Sequence, residues 1–179
     1  GIRPVEGDVL LGKRLLDVER RGQFLRFGLD GNLVLVINAM LAGRYVLSAH
    51  PAARTAKAMI LALSFAGGQE LQYTDEMRMG KIYLAAAAQE SDIPGYRDLG
   101  VDLLSEGFTL ARFRELASGR RDQVRQFLLD KTALASIGNA YADEILFAAR
   151  LHPKTFCHRL RAAEVDRLLA DPLAREVLV

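Results

Sequence analysis

Cysteine occurs once, at Cys157, so neither a disulfide within the chain nor a cysteine-based zinc site can be built from these 179 residues. Of the three histidines, His50 and His158 have no partners at metal-ligand spacing, and His152 before Pro153 reads as structural. No apolar run is long enough to span a membrane, and Gly1-Ile2-Arg3-Pro4 is not a signal peptide. These absences make a cytosolic protein the default. An excess of one charge is missing too: the formal net charge is +2, too small to establish a nucleic-acid partner.

What is present says more. Half of the chain is hydrophobic, which supplies a core for one large domain or two small ones. The basic residues are clustered. Lys13 to Arg26 holds five against two acidic, Arg112 to Lys131 six against three, and Arg150 to Arg167 five against two. Clusters of one sign are the footprint of a polyanion partner, or simply a solvated face.

The hydrophobic period changes along the chain. Residues 1–84 read as strands: Val9 to Leu11 with Leu15 to Val18, Gln23 to Leu29, Leu33 to Ile37, Arg44 to Leu47, Met59 to Phe65, Glu70 to Thr74, and Lys81 to Leu84. Asp30-Gly31-Asn32 is a hairpin signal, and the β-branched run after it predicts a central strand. Many strands with short turns imply an antiparallel sandwich or barrel. Residues 85–108 read as a connection. Residues 109–179 are helical: Thr109 caps Leu110 to Ala117, closed by Gly119; Asp122 caps Gln123 to Lys131; a third helix runs from Asn139 to Leu151 and is stopped by Pro153. A fourth, about Ala162 to Ala170, buries Val165, Leu168 and Leu169 and ends at Pro172. The fold class is α+β, a β domain followed by a small helical one.

The stretch from Lys131 to Pro153 organises the helical half. Ser136-Ile137-Gly138-Asn139 predicts a tight turn, with Gly138 free to take unusual backbone angles and Asn139 as N-cap. Tyr141, Ile145 and Ala148 then share a face, with Leu146 and Ala149 beside them. Asp143 and Glu144 lie towards the positive end of the helix dipole and Arg150 towards the other. A helix start behind a turn leaves N–H groups free for an anion. After Arg120, Arg121, Arg125 and Lys131, a phosphate fits as that anion, but from periodicity alone an ordinary capped helix is the preferred reading.

Ile137 to Leu146, IGNAYADEIL, followed by His152-Pro153, resembles the helix–two-turn–helix motif of the formamidopyrimidine-DNA glycosylase / endonuclease VIII family. Three landmarks agree in order: Val18-Glu19-Arg20-Arg21-Gly22-Gln23-Phe24-Leu25 with the family's Arg-Arg-Gly-Lys strand, Asn38 to Arg44 with its His-Leu-Gly-Met-type segment, and Tyr73 to Gly80 with its Asp-Pro-Arg-Arg-Phe-Gly loop. The resemblance implies a β-sandwich and a helical domain gripping damaged double-stranded DNA, excision of oxidised bases, and AP lyase cutting of the abasic strand. The nucleophile would be the amine of an N-terminal proline, forming an iminium at the sugar, with a glutamate moving protons and the base flipped out of the stack.

The same resemblance assigns roles residue by residue. Asn139 falls at a phosphate-binding asparagine, Arg125 at a lysine ahead of it, and Arg78 at the second arginine of the loop. Arg121, four residues before Arg125, shares its helix face if the helix begins that soon, and Lys57 lies near a DNA-touching histidine. Gln23 takes the place of a lysine that contacts phosphate and assists elimination, work that an uncharged amide cannot do. Leu41, Met77 and Met79 take the places that fill the void left by the flipped base, whereas Met40 is expected to pack. No catalytic residue is secure: the family's Pro-Glu start is expected ahead of Gly1, and its zinc finger, or a zincless equivalent, beyond Val179. Residues 1–179 are therefore expected to hold no metal or cofactor, to bind DNA weakly, and to act as a monomer in the cytoplasm, at the nucleoid in a bacterium. The rival readings are a non-catalytic DNA-binding relative, favoured by Gln23, and an RNA-binding protein with a similar helical element.

Overall fold

The computed structural model describes residues 7–50 and 58–170. The chain divides into two compact units, Gly1–Ile93 and Pro94–Val179.

Among the described residues, the first unit has seven strands in two antiparallel sheets. One sheet has the order β1-β2-β3-β7: β1 is Leu15–Arg21, β2 Phe24–Leu29, β3 Leu33–Asn38 and β7 Lys81–Ala86. The other has the order β4-β6-β5: β4 is Arg44–Ser48, β5 Met59–Ser64 and β6 Glu70–Thr74. Strand alternation puts Phe27, Leu35, Ile37 and Tyr73 into one apolar cluster, with Leu61, Leu63, Leu71 and Ile82 packed against it. β3, flanked by β2 and β7, is buried on both faces, which explains its unbroken apolar run. The hairpin before it turns through Gly31 and Asn32, both at positive φ.

Two expected strand segments are something else. Val9 and Leu10 belong to a short 3-10 turn, Gly7–Leu10, closed by Lys13 N–H donating to the Leu10 carbonyl at 3.2 Å. Gln23 is not in a strand: Arg21 pairs with Phe24, so Gly22 and Gln23 are a two-residue hairpin turn with Gly22 at φ 57°.

In the second unit, β8 (Val101–Asp102) pairs in parallel with β9 (Leu134–Ala135). The stretch 85–108 is thus more than a connection: it contains the end of β7, a 3-10 helix at Ala87–Asp92, and β8. Four helices follow the expected order: α1 Leu110–Ala117, α2 Val124–Leu129, α3 Asn139–Ala148 and α4 Ala162–Ala170. Their apolar faces meet in a core of Phe113, Phe127, Leu128, Leu134, Ile137, Ile145, Leu146 and Leu168. Thr109 caps α1 as expected, its Oγ1 accepting from Arg112 N–H at 3.1 Å.

The other caps differ. Asp122 does not cap α2, which starts from Gln123. Its carboxylate is taken by Arg120, which also binds Asp130, each at 2.7 Å. On α3 the buried face is Ala142, Ile145, Leu146 and Ala149, whereas Tyr141 is exposed and Ala148 only half-buried. α3 ends before Pro153, with Arg150 at φ 54° behind it. Pro172 lies outside the described residues, among which no helix is long and apolar enough to cross a membrane.

Candidate nucleic-acid interface

Three loops leave one end of the first unit's sheets. Phe24 pairs with Asn38 and Asn38 with Lys81, while Arg44 pairs with Thr74. The turn at Gly22-Gln23, the segment 39–43 and the loop 75–80 therefore begin and end at neighbouring strand termini. They carry Gln23, Leu41, Met77, Arg78 and Met79, all exposed. Leu41 is 81% exposed and Met77 59%, so this end presents apolar side chains to solvent beside Arg78. Met40 belongs with them: at 52% exposure and φ 50° it is not packed in the core, contrary to expectation.

Two buried polar side chains shape these loops. Asp75, 1% exposed, accepts from Met77 N–H at 3.1 Å and Gly80 N–H at 2.6 Å. Those backbone donors, Gly80 foremost, hold its carboxyl below the usual carboxylate range. The loop is thereby wrapped around a carboxylate, with Arg78 at φ 52° on its outer side. Gly80 is required there for space: a Cβ would overlap the buried Tyr73 hydroxyl. In the other loop, Asn38 Oδ1 accepts from Met40 N–H at 3.0 Å, an Asx turn of the same type. Sequence reasoning passed over Asp75 and Asn38 as organisers of these loops.

In the second unit the candidate residues gather between α2 and α3. After α2 the chain makes a turn over Asp130, whose Oδ1 accepts from Thr132 N–H at 3.0 Å. It then runs through β9 and makes a second turn at Ser136, φ 84°. The left-handed residue is Ser136, not Gly138, which is extended at φ −91° and ψ 175°. Lys131 donates to the Ile137 carbonyl across this turn, and burial pulls its ammonium below the usual lysine value.

Gly138 is the N-cap and Asn139 the first helical residue, so the expected side-chain cap at Asn139 does not form. The Asn139 amide is used differently. Arg125 Nη2 donates to Asn139 Oδ1 at 3.3 Å, while Arg125 Nε and Nη2 bind the two oxygens of Asp143 at 2.7 and 3.1 Å. With its oxygen occupied, Asn139 keeps its NH2 group for another acceptor. Gly138, Asn139 and Ala140 are exposed, and the first N–H groups of α3 have no partner inside the helix. The cluster offers backbone N–H groups, an amide NH2 and the Nη1 edge of a guanidinium, the donor set that suits a phosphate.

Arg125 and Asn139 are thus brought together. Arg121 is not on their helix face, because α2 begins only at Val124; it is exposed ahead of that helix. Lys57 lies outside the described residues. His152 uses Nδ1 to accept from Lys154 N–H at 3.2 Å, a structural role, and Cys157 is 5% exposed. Among the described residues no group of three metal-ligating side chains occurs.

The chain is thus a β-sheet unit followed by a helical unit with an open, arginine-flanked helix start. Comparison makes it specific. The formamidopyrimidine-DNA glycosylase N-terminal domain matches residues 4–82, and the H2TH domain of the same enzymes matches residues 99–178. The chain belongs to the formamidopyrimidine-DNA glycosylase family. A formamidopyrimidine-DNA glycosylase of Moorella thermoacetica is 39% identical over 160 residues, 89% of this chain and 58% of that protein. The crystal structure of MutM (Fpg) from Thermus thermophilus matches with a TM-score of 0.76 at 34% identity, over 93% of this chain and 59% of that one. The Lactococcus lactis Fpg, in complex with DNA containing an abasic site, matches with a TM-score of 0.79 at 27% identity, over 96% of this chain and 62% of that one. The chain therefore spans about three-fifths of the length of these relatives.

Proposed function

We propose that the protein carrying this chain is a base-excision-repair glycosylase that removes oxidised bases from double-stranded DNA and cuts the abasic strand. Residues 1–179 serve as its DNA-holding part. The observation that carries this reading is the meeting of Arg125 and Asn139 at the open start of α3, in a chain whose two halves match successive domains of one glycosylase family. Asn139, Arg125 and the first N–H groups of α3 hold one phosphate. Arg78, set outward by the Asp75-centred loop, and exposed Arg121 add backbone contacts, and Lys57 is a further candidate. Leu41, Met77 and Met79 are apolar and exposed, the character needed to fill the space of a flipped base. A proline amine at the N-terminus of the whole protein supplies the nucleophile. The protein acts as a monomer in the cytoplasm.

Borohydride trapping on an abasic-site duplex, with the protein carrying its native N-terminus, tests the chemistry. A covalent adduct is expected; DNA bound without an adduct would refute the lyase step. A second reading has one observation in its favour. Gln23, exposed in the β1–β2 turn, has neither charge nor basicity, where the family resemblance places a lysine. It describes a DNA-binding relative without lyase activity, and the same experiment separates the two.

A further inference from the structure

Asp143 has no place in the phosphate site as assembled above, and its charge has the wrong sign for one. Yet it is the strongest partner of the site's arginine. Arg125 is the second residue of α2, and Asn139 and Asp143 lie one turn apart on the same side of α3. Arg125 bridges the two helices by binding both Asp143 oxygens through Nε and Nη2, and the same Nη2 reaches Asn139 Oδ1 at 3.3 Å. A long arginine side chain has many rotamers, and the contact to Asn139 alone is too long to select one. The two-pronged contact with Asp143 does select one. It leaves Nη1 with no hydrogen bond or ion pair to any described residue, and it turns the Asn139 amide so that its NH2 group is available.

We propose that Asp143 is a positioning residue for phosphate binding: it fixes Arg125 across the α2–α3 gap so that Arg125 and Asn139 present their N–H groups to one phosphate. The proposal rests on the DNA-binding reading above. It makes a prediction opposite in sign to simple electrostatics. An acidic residue beside a phosphate site repels DNA, so its removal should strengthen binding if charge alone mattered. Positioning requires the reverse.

The test is equilibrium binding of the full-length protein to an abasic-site duplex over a range of salt concentrations. Asp143→Ala should weaken binding roughly two- to fivefold, the range of coupling in exposed ion pairs, and should flatten the salt dependence even though the protein has become more positive. In the Arg125→Ala background it should cause no further loss. Asp143→Asn, which keeps the shape and one acceptor, should fall between wild type and Asp143→Ala and carries the test if the alanine variant does not fold. Unchanged or tighter binding by both variants overturns the proposal, as does an equal loss with and without Arg125. If the wild type binds no duplex, or Arg125→Ala has no effect, the DNA-binding reading fails and the proposal with it. If wild type and Arg125→Ala behave as expected and only the Asp143 variants do not, the positioning role alone is wrong.

Discussion

Gly80→Ala isolates the packing that shapes the loop bearing Arg78. Gly80 does not have a left-handed backbone, so alanine meets no conformational penalty there. Space is what forbids it. The new methyl group would overlap the Tyr73 hydroxyl, and would lie 2.9 Å from Tyr73 Cζ and 3.1 Å from Asp75 Oδ2. Tyr73 is 1% exposed and Asp75 1%, so neither can swing into solvent, and the loop itself must move. Forcing a methyl group into a packed site costs about 1–3 kcal/mol. Urea denaturation should show that loss as a lower midpoint with an unchanged slope. Gly67→Ala is the control: nothing lies within 4 Å of its Cβ and its φ is not left-handed, so it should be neutral or slightly stabilising. Tyr73→Phe in the Gly80→Ala protein removes the overlapped atom and should recover part of the loss, the remaining contacts staying tight. Wild-type stability in Gly80→Ala, or no recovery with Tyr73→Phe, would refute the reasoning.

Three further outcomes are expected. Asn139→Ala should change stability by less than about 0.5 kcal/mol in chemical denaturation, because the side chain caps nothing and is exposed, while duplex affinity falls; a loss near the ~1 kcal/mol typical of a cap would contradict the cap assignment. Glu164 accepts from Arg161 N–H at 2.8 Å and from the Arg161 guanidinium at 2.9 Å, and these contacts lower its carboxyl to about 2. A depressed folded-state value means stability that is present above the unfolded value near 4.5 and lost as pH falls towards 2. Glu164→Gln should flatten the acid side of the pH–stability curve, and an unaltered curve would count against the pairing. Burial raises the Cys157 thiol to about 11, so a thiol reagent at pH 8 should label it slowly in the native protein and rapidly in urea; equal rates would place it at the surface.

β3 was legible because it runs apolar without break, and the strands around it because turns such as Asp30-Gly31-Asn32 are marked by residues that accept positive φ. The helices were legible from their period, their ends less so. Asp122 and Asn139 both look like caps in one dimension. Asp122 is instead drawn to Arg120 and Asn139 to Arg125, because an arginine within reach competes for the same oxygens. The apolar face of α3 was misplaced by one residue: Tyr141 is large and apolar enough to read as core, but the small Ala142 is what fits against the packed helices. Asp143 read as a dipole-compensating acid. Its partner lies 18 positions away on another helix, beyond any local pattern. Asp75 and Asn38 were visible as parts of motifs, but their work as acceptors for loop N–H groups shows only in three dimensions.

The proposed role of the α3 start is to hold the phosphate backbone of duplex DNA. Its most direct test is a salt titration of binding to an abasic-site duplex by wild type and Arg125→Ala. Log affinity should fall linearly with log salt for both, with the slope of the variant shallower by about one and the loss similar across sequences. Binding without salt dependence, or a loss confined to one sequence, would contradict it.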